Sequence, residues 1–464
     1  MHQIFIDGAW IDAREGPALD ITNPATLEPL GAVPACGRED VARAVAAARA
    51  ALEPWRSTTA AARTRLLADI GGRIRANAGD LAMLLTRESG KPLRESRDCL
   101  ETVAAIFERA PMLGDSSDGF PPPAVIACLV PFNFPLLIAA GAAVPALAAG
   151  NTVVCKPPRE DPLASLKLAQ LCESLPRGAL NIITGGADTE LALIEQADVV
   201  SFTGSAESGR RIESVAHGKR LDLHARSVGA CIVCKDADLE VAVPAIAWRR
   251  LVNTGQGCSS DQHVYVERTI RDELIARLHS YVGFLEVDNP IKTTTDLGPI
   301  VSLQAARRVE DQVGRLLREG ARLILGGRGF RPSGLAGHFF QPTILADIHP
   351  GGLASREEIL GPVLAVTAVS DFAQALRSAC ESHAKGEISI YTRDSDAVVS
   401  LLECAKAGTF RINDPTSGQG PFAGVLRGPI RRALALPGSL QTERVEVAPA
   451  LLPKPWWFPY ADRR

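Results

Sequence analysis

Strand-like and helix-like segments alternate along most of this chain. The continuous apolar run AVIACLV is followed by a turn, a long apolar helix and a second run, TVVCKP. A β-type run followed by a helical period recurs at 179–185 and 198–205, and the pattern starts again after Leu239. Because parallel strands need crossover connections, this alternation predicts doubly wound parallel α/β sheets. A chain of 464 residues is expected to form two or three domains.

Charge and cysteine usage argue against several classes of function. The net charge of −3, with no basic run that contains aromatic residues, predicts no nucleic-acid partner and no anionic membrane surface. The apolar stretch Phe134–Val154 contains two prolines and much Ala and Gly, which favours a buried helix and strand over a membrane span.

The ten cysteines are scattered, and the one close pair, Cys231 and Cys234, is interpreted as buried strand thiols, so no metal is predicted. The amino terminus lacks the pattern of a signal peptide, so a cytoplasmic protein is expected.

One cysteine lies in a setting of a different kind. Cys258 is in the glycine-rich turn LVNTGQGCSS, close after Asn253 and Gln256. A reactive thiol needs a polar, accessible environment, whereas a structural thiol is usually found in an apolar run. The local pattern leaves two interpretations open, a catalytic nucleophile and an ordinary loop cysteine.

A second turn follows the strand at 198–205. Gly204 and Ser205, with Gly209, connect this strand to a new helix. The amino terminus of a helix presents free N–H groups and a positive dipole to an anion such as a dinucleotide pyrophosphate. The alternative is an ordinary strand-to-helix turn with a serine cap, and a single glycine turn does not decide between them.

Five stretches of the chain form a specific set: PFNFP at 131–135, TVVCKP at 152–157, SFTGSAESGR at 201–210, NTGQGC at 253–258 and EEILGPV at 357–363. In this order and spacing they resemble the aldehyde dehydrogenase superfamily over nearly the full length of the chain. The resemblance implies three parts: a Rossmann-like dinucleotide-binding domain, a second α/β catalytic domain, and a small oligomerisation arm with a C-terminal tail. Their expected bounds are 1–113 and 123–228 for the first, 229–439 for the second, and 114–122 and 440–464 for the third. The segment before Pro122 is short, so a homodimer is expected, with a tetramer as the alternative.

The resemblance also implies oxidation of an aldehyde to a carboxylic acid with NAD or NADP. Cys258 matches the nucleophile of the family, and Asn133 with the Cys258 N–H matches the donors to the oxyanion. Lys156 matches the residue that binds the adenosine ribose, and Glu358 the residue that holds the nicotinamide ribose. The full set of expected cofactor contacts is Phe132, Lys156, Arg159, Gly185, Gly204, Ser205, Gly209, Glu358 and Leu360.

The general base of the family is replaced. His224 occupies the position of the usual glutamate, and Asp222 shares its face if this segment is a strand. His224 is therefore a candidate base, because an imidazole titrates near neutral pH; the alternative is that the base has been lost. Arg226 and Ser227 replace two glycines beside the nicotinamide.

Other departures lie in the cofactor groove and near the substrate. Arg159 stands where the family often has a glutamate for the ribose hydroxyls, which favours NADP. Leu360 replaces a phenylalanine and Phe132 a tryptophan. His263 stands where some relatives carry a basic residue for acidic aldehydes.

These matches and departures leave three hypotheses. The first is an NAD(P)-dependent aldehyde dehydrogenase that hydrolyses its thioester with help from His224. The second is an acylating variant that uses a thiol such as coenzyme A. The third is a catalytically silent scaffold.

Overall fold

The computed structural model describes two compact units. It covers residues 1–14, 16–113, 124–225, 228–257, 260–383, 387–404, 409–414 and 445–447. The first unit contains the described residues up to Ala225, and the second contains those from Val228 onward. Of the predicted oligomerisation arm and tail, only Val445–Val447 falls among the described residues.

The first unit contains nine strands and eight α-helices among its described residues. The strands are β1 (Ile4–Ile6), β2 (Ala9–Ile11), β3 (Ala18–Thr22), β4 (Pro29–Pro34), β5 (Val125–Leu129), β6 (Thr152–Lys156), β7 (Leu180–Ile182), β8 (Val199–Gly204) and β9 (Arg220–Ala225). The helices are α1 (Arg38–Ser57), α2 (Ala60–Ala76), α3 (Ala78–Ser89), α4 (Leu93–Glu108), α5 (Pro135–Ala148), α6 (Leu163–Leu171), α7 (Ala187–Gln196) and α8 (Ala206–Val215).

Seven of these strands form one sheet in the order β2-β1-β7-β6-β5-β8-β9. The five strands from β7 to β9 are parallel, and the β1–β2 hairpin extends the sheet antiparallel to β7. Side chains of β5 alternate between two cores. Ile126 and Cys128 pack with α2, α4, α5 and α6, whereas Val125 and Ala127 pack with α1 and α7. Helices therefore cover both faces, as a doubly wound sheet requires.

The second unit contains ten strands and six α-helices among its described residues. The strands are β10 (Ala230–Val233), β11 (His263–Glu267), β12 (Arg322–Leu325), β13 (Gly329–Phe330), β14 (Phe339–Phe340), β15 (Thr343–Ala346), β16 (Val363–Val369), β17 (Glu387–Tyr391), β18 (Thr409–Ile412) and β19 (Val445–Val447). The helices are α9 (Leu239–Leu251), α10 (Arg271–Gly283), α11 (Leu303–Arg318), α12 (Leu353–Arg356), α13 (Phe372–His383) and α14 (Ser395–Cys404).

Eight strands of the second unit form a sheet in the order β12-β15-β16-β11-β10-β17-β18-β19. All neighbours are parallel except β12 and β15. Residues of β10 face alternate cores: Cys231 and Val233 pack with α9 and α10, and Ala230 and Ile232 with α13 and α14. The predicted doubly wound α/β architecture is confirmed in both units, and Cys231 is a buried strand thiol as expected.

The apolar stretch from Phe134 to Val154 folds as the sequence predicts. It forms α5 and most of β6, with all five β6 residues buried. Among the described residues, no helix has the length and apolar character needed to span a membrane.

Candidate active site

The turn after β5 contains Phe132 and Asn133. Phe132 is half-buried, and Asn133 has no exposed surface. The backbone carbonyl of Asn133 accepts a hydrogen bond from Lys91 Nζ at 3.0 Å. The same ammonium lies 3.8 Å from the centroid of the Phe134 ring, which is within cation–π range. Lys91 therefore holds the backbone of this turn from the protein interior, a role that the sequence analysis missed.

Lys91 lies among buried titratable groups. Burial lowers the pKa of the Lys91 ammonium, and the negative forms of Cys99, Glu95 and Asp161 oppose that shift. Glu88 accepts hydrogen bonds from the first two N–H groups of α6, at 2.7 Å each. Among the described residues, neither carboxyl oxygen of Asp161 has a hydrogen-bond partner. Burial and the charge of Glu88 raise the pKa of Asp161 well above its usual range, so the site favours a neutral Asp161 carboxyl.

Lys156 is the last residue of β6 and is only 2% exposed. Its ammonium forms an ion pair with Glu190 Oε1 at 2.8 Å and donates to the carbonyl of Gly185 at 3.4 Å. Gly185 has φ +153°, and a Cβ there would lie 2.0 Å from Thr189 Oγ1, so only glycine fits this turn. Arg159 is exposed on the bend that follows β6. The structure thus brings Lys156 and Gly185 together and adds Glu190, which the sequence analysis did not identify.

The turn between β8 and α8 has the predicted glycines. Gly204 ends β8, and a Cβ there would lie 2.1 Å from the ring of Phe202. Ser205 is the N-cap of α8, and its hydroxyl accepts a hydrogen bond from Ser208 N at 3.1 Å. Gly209 is buried, and its N–H donates to the carbonyl of Ser205 at 2.9 Å. The serine-cap interpretation is therefore correct. A cap satisfies one N–H group and does not cancel the positive end of the helix dipole, so anion binding stays a prediction.

The segment that contains His224 is a strand, as expected. In β9, Asp222 lies opposite Ser201 of β8, and Ser201 Oγ donates to Asp222 Oδ2 at 3.3 Å. The period of two places Asp222 and His224 on the same face of the sheet. The side chain of His224 lies outside the described residues, and so do Arg226 and Ser227.

Cys258 lies outside the described residues, but the chain on both sides of it is described. Asn253 and Thr254 have left-handed backbone angles, with φ of 53° and 56°, and Gly255 follows with φ 72°. A Cβ at Gly255 would lie 2.1 Å from the carbonyl oxygen of Gly361. Such conformations are costly for residues with side chains and persist where the surrounding structure fixes them, often at functional sites. The turn that leads into Cys258 is therefore strained and packed against the Gly361 backbone.

Arg250 connects the two segments that carry the predicted catalytic and nicotinamide-binding residues of this unit. It is fully buried near the end of α9. Its guanidinium donates to groups on both sides of Cys258 and to the segment after Glu358: Gly255 O (3.3 Å), Ser260 Oγ (2.7 Å), Ile359 O (2.7 Å), Gly361 O (2.7 Å) and Val363 O (2.5 Å). Burial lowers the pKa of Arg250 to about 10, and the charge of Glu358 opposes that shift.

Glu358 and Leu360 are half-buried in this same segment. Gln262 holds the backbone on either side of Glu358: its Nε2 donates to the carbonyl of Glu357 at 2.8 Å, and its Oε1 accepts from Ile359 N at 2.7 Å. The carbonyl of Glu358 itself accepts from Gln312 Nε2 at 3.1 Å. The loop that would face a cofactor ribose is thus fixed by buried amides.

His263 does not have the role that its position suggested. It is fully buried in β11, where Nε2 is 2.7 Å from Thr367 Oγ1 and Nδ1 is 3.2 Å from the Tyr265 hydroxyl. Thr367 already donates to the carbonyl of Ile348, so the Thr367 oxygen accepts from His263 Nε2–H and Nδ1 accepts from Tyr265. His263 is therefore a core histidine, and because it is buried it does not present a basic side chain to an acidic aldehyde.

Four supporting residues, two in each unit, were missed, and each has a weak signal in the sequence. Lys91 follows the αL glycine that ends α3, Arg250 is the second of two adjacent arginines in the last turn of α9, and Gln262 directly precedes a buried strand. Glu190 is one of two acids in the first turn of α7. A charged or amide side chain beside a turn or a buried strand is the signal that these residues share, although such side chains are usually solvated.

Comparison with known proteins identifies what this arrangement is similar to. The sequence model of the aldehyde dehydrogenase family matches residues 10–428. Glutarate-semialdehyde dehydrogenase of Pseudomonas aeruginosa is 32% identical over 448 residues, which are 91% of this chain and 92% of that protein. Succinate-semialdehyde dehydrogenase [NADP(+)] of Escherichia coli has the same identity and the same coverage.

Solved structures give the same result. Lactaldehyde dehydrogenase from Escherichia coli superposes with a TM-score of 0.85 at 30% identity, covering 89% of this chain and 91% of that one. An NAD-dependent aldehyde dehydrogenase from Sinorhizobium meliloti superposes with a TM-score of 0.84 at 30% identity, covering 89% and 86%.

Proposed function

The chain belongs to the aldehyde dehydrogenase family, and on that premise we propose that it oxidises an aldehyde to a carboxylic acid with NAD or NADP as hydride acceptor. The observation that carries the proposal is the position of Arg250. One buried guanidinium binds groups on both sides of Cys258 and three carbonyls after Glu358. A nucleophile and a cofactor-holding carboxylate need such a fixed relationship, because catalysis depends on precise placement of reacting groups.

The residues of the first unit fit a dinucleotide. Lys156 is a buried cation at the carboxyl end of β6, and Gly185 and Gly204 leave no space for side chains in the neighbouring turns. In open α/β sheets, ligands bind beyond the carboxyl ends of the strands, and a helix amino terminus such as that of α8 attracts a pyrophosphate. Lys156 would bind the adenosine ribose, Ser205 would lie at the pyrophosphate, and Glu358 would bind the nicotinamide ribose. Phe132, Gly209 and Leu360 would complete the contacts.

The chemistry proposed for the protein residues has two stages. The Cys258 thiolate adds to the aldehyde carbon, and the Asn133 amide with the Cys258 N–H donates to the oxyanion that forms. Bound NAD(P) supplies the acceptor for the hydride that leaves this carbon. His224 then removes a proton from a water molecule that attacks the thioester, which releases the acid and the thiol. The balance is one aldehyde, one water and one oxidised cofactor to one acid, one reduced cofactor and one proton.

A panel assay tests this function. Purified protein with NAD or NADP is offered succinate semialdehyde, glutarate semialdehyde and lactaldehyde, and reduced nicotinamide is followed by absorbance. We expect turnover without coenzyme A and no turnover by Cys258→Ser. A reaction that starts only when coenzyme A is added would establish the acylating alternative. Failure to bind either cofactor in calorimetry would leave the silent scaffold. Both alternatives have less support, because the relatives named above are dehydrogenases.

We also propose a homodimer in the cytoplasm. The short segment before Pro122 supports a dimer over a tetramer, and the cysteines whose side chains are described are free thiols, as a reducing compartment favours. Light scattering coupled to size-exclusion chromatography separates the two assemblies, and a fluorescent fusion reports the compartment.

A further inference from the structure

The ion pair between Lys156 and Glu190 introduces a carboxylate beside the proposed adenosine-ribose site. The 2.8 Å contact joins the end of β6 to the first turn of α7. The two partners differ in exposure: Lys156 is 2% exposed, and the Glu190 side chain is 34% exposed. The carboxylate therefore lies between a buried cation and the outer surface of the unit.

Glu190 is held in place by its surroundings. Thr189 Oγ1 donates to the carbonyl of Cys36 at 2.7 Å, and Thr189 packs so closely on Gly185 that no side chain fits there. The start of α7 is thus anchored on one side by Thr189 and on the other by the Lys156–Glu190 pair. A carboxylate fixed in this way loses little conformational freedom when it binds a ligand.

The Glu190 carboxylate can accept further hydrogen bonds. Lys156 approaches Oε1, and within the described part of the chain no further donor to this carboxylate is found. An ionised carboxyl group accepts hydrogen bonds at both oxygens, so Oε2 is available to a hydroxyl donor.

We propose that Glu190 accepts a hydrogen bond from the 2′-hydroxyl of the adenosine ribose and excludes a 2′-phosphate, so that the protein uses NAD in preference to NADP. The inference rests on the proposed function, in which Lys156 binds the same ribose. A carboxylate is the usual partner of the ribose hydroxyl in dinucleotide folds, and a phosphate of charge about −1.5 to −2 is repelled by it. Lys156 cannot compensate, because Glu190 already neutralises it.

Arg159 favours NADP instead, because its positive charge attracts a 2′-phosphate. It lies three residues after Lys156 and is exposed, so water and salt screen its attraction for a phosphate. Glu190 is fixed against a buried cation and is screened less. The two residues therefore make opposing contributions to cofactor choice, and that of Glu190 is the larger.

Calorimetric titration with NAD and NADP, without substrate, tests the proposal. The wild-type protein is expected to bind NAD at least about tenfold more tightly than NADP, and Glu190→Gln is expected to lower that ratio by about tenfold or more, since a hydrogen bond to a charged group is lost. Asp188→Asn is the matched control: Asp188 is an exposed carboxylate in the same turn, so its loss should change the ratio by no more than about threefold. Thermal unfolding of each variant shows that it is folded.

The outcomes are distinct. A wild-type protein that binds NADP as tightly as NAD overturns the inference and leaves the proposed function intact. An unchanged ratio in folded Glu190→Gln, or an equal change in Asp188→Asn, overturns it as well. A wild-type protein that binds neither cofactor overturns the inference together with the proposed function.

Discussion

The buried ammonium of Lys91 donates a hydrogen bond to the backbone carbonyl of Asn133. This contact joins the segment after α3 to the turn after β5, and the Phe134 ring covers the same ammonium. An oxyanion donor is useful only if its direction is fixed before the reaction begins. Lys91 would thus position Asn133 for its proposed role as oxyanion donor, and the two residues give linked predictions.

Asn133→Ala should lower kcat about a hundredfold to a thousandfold, because one donor to the developing oxyanion is removed. KM for the aldehyde and the Kd for the cofactor should change little, since the amide acts on charge that forms during the reaction. Steady-state kinetics and calorimetry measure the two effects separately. A kcat within about threefold of wild type would exclude Asn133 from the oxyanion site.

Lys91→Met should lower kcat about tenfold with little change in KM, because the turn that carries Asn133 loses its internal donor. Lys91→Gln retains a donor and should recover part of the activity. In the Asn133→Ala background, Lys91→Met should cost much less than it does alone, since both changes act through the same amide. Additive losses in the double variant would show that Lys91 acts elsewhere.

Arg250→Lys should slow alkylation of Cys258 by iodoacetamide and lower kcat by at least about tenfold. A lysine has three donors and replaces a guanidinium that binds five groups, so the two loops lose their shared connection. The free energy of unfolding should fall by about 2–4 kcal/mol, because buried carbonyls lose their donors.

Arg315→Lys is the control for Arg250. Its partner Glu357 adjoins Glu358, but the pair is about 40% exposed and should contribute little. We expect near wild-type alkylation and turnover. Equal effects of the two substitutions would show that Arg250 has no special connection to the cysteine turn.

His224→Asn separates the two interpretations of the missing glutamate. If His224 is the base, the first turnover still produces reduced nicotinamide in a burst, and the later steady rate falls about a hundredfold or more. The wild-type steady rate should rise with pH, because the imidazole acts as a base only after it has lost its proton, and the variant should lose that rise. Rapid-mixing absorbance over a pH series measures both. An unchanged steady rate would mean that another group, or none, activates the water.

Asp161→Asn should remove a pH-dependent instability. The pKa of Asp161 is raised in the folded protein by burial and by Glu88, so the folded state holds a proton that the unfolded state has released above about pH 4. Stability is therefore lost as pH rises from the unfolded pKa towards the folded one, by about 1.4 kcal/mol per pH unit for one proton. Denaturant unfolding from acid to neutral pH should show a smaller decline in the variant. Parallel curves would contradict a protonated Asp161.

The alternating apolar runs were sufficient to predict the strands and crossovers, because burial on both faces of a parallel sheet leaves a continuous signal such as Val125–Leu129. Gly204 and Gly255 were recognisable from their turn motifs and Gly185 from the family resemblance, and in the structure a Cβ at each would collide with a neighbour. These signals come from residues that are close together in the chain, so they can be recognised in a single sequence.

The supporting contacts could not be predicted in this way. Lys91 is 42 residues from Asn133, and Arg250 is 109 to 113 residues from three of its partners. Nothing in the neighbourhood of either residue indicates the distant carbonyl that it binds. The position of His263 in the sequence likewise does not reveal that Thr367 and Tyr265 enclose its ring in the core.

Gly255 limits how far this divergent sequence can change. A methyl group at this position would collide with the Gly361 carbonyl, to which Arg250 also donates. The hydrogen atom on the Gly255 α-carbon therefore sets the spacing between the two loops, and Arg250 holds them at that spacing. A larger residue at 255 would push the turn that leads into Cys258 away from the loop that follows Glu358.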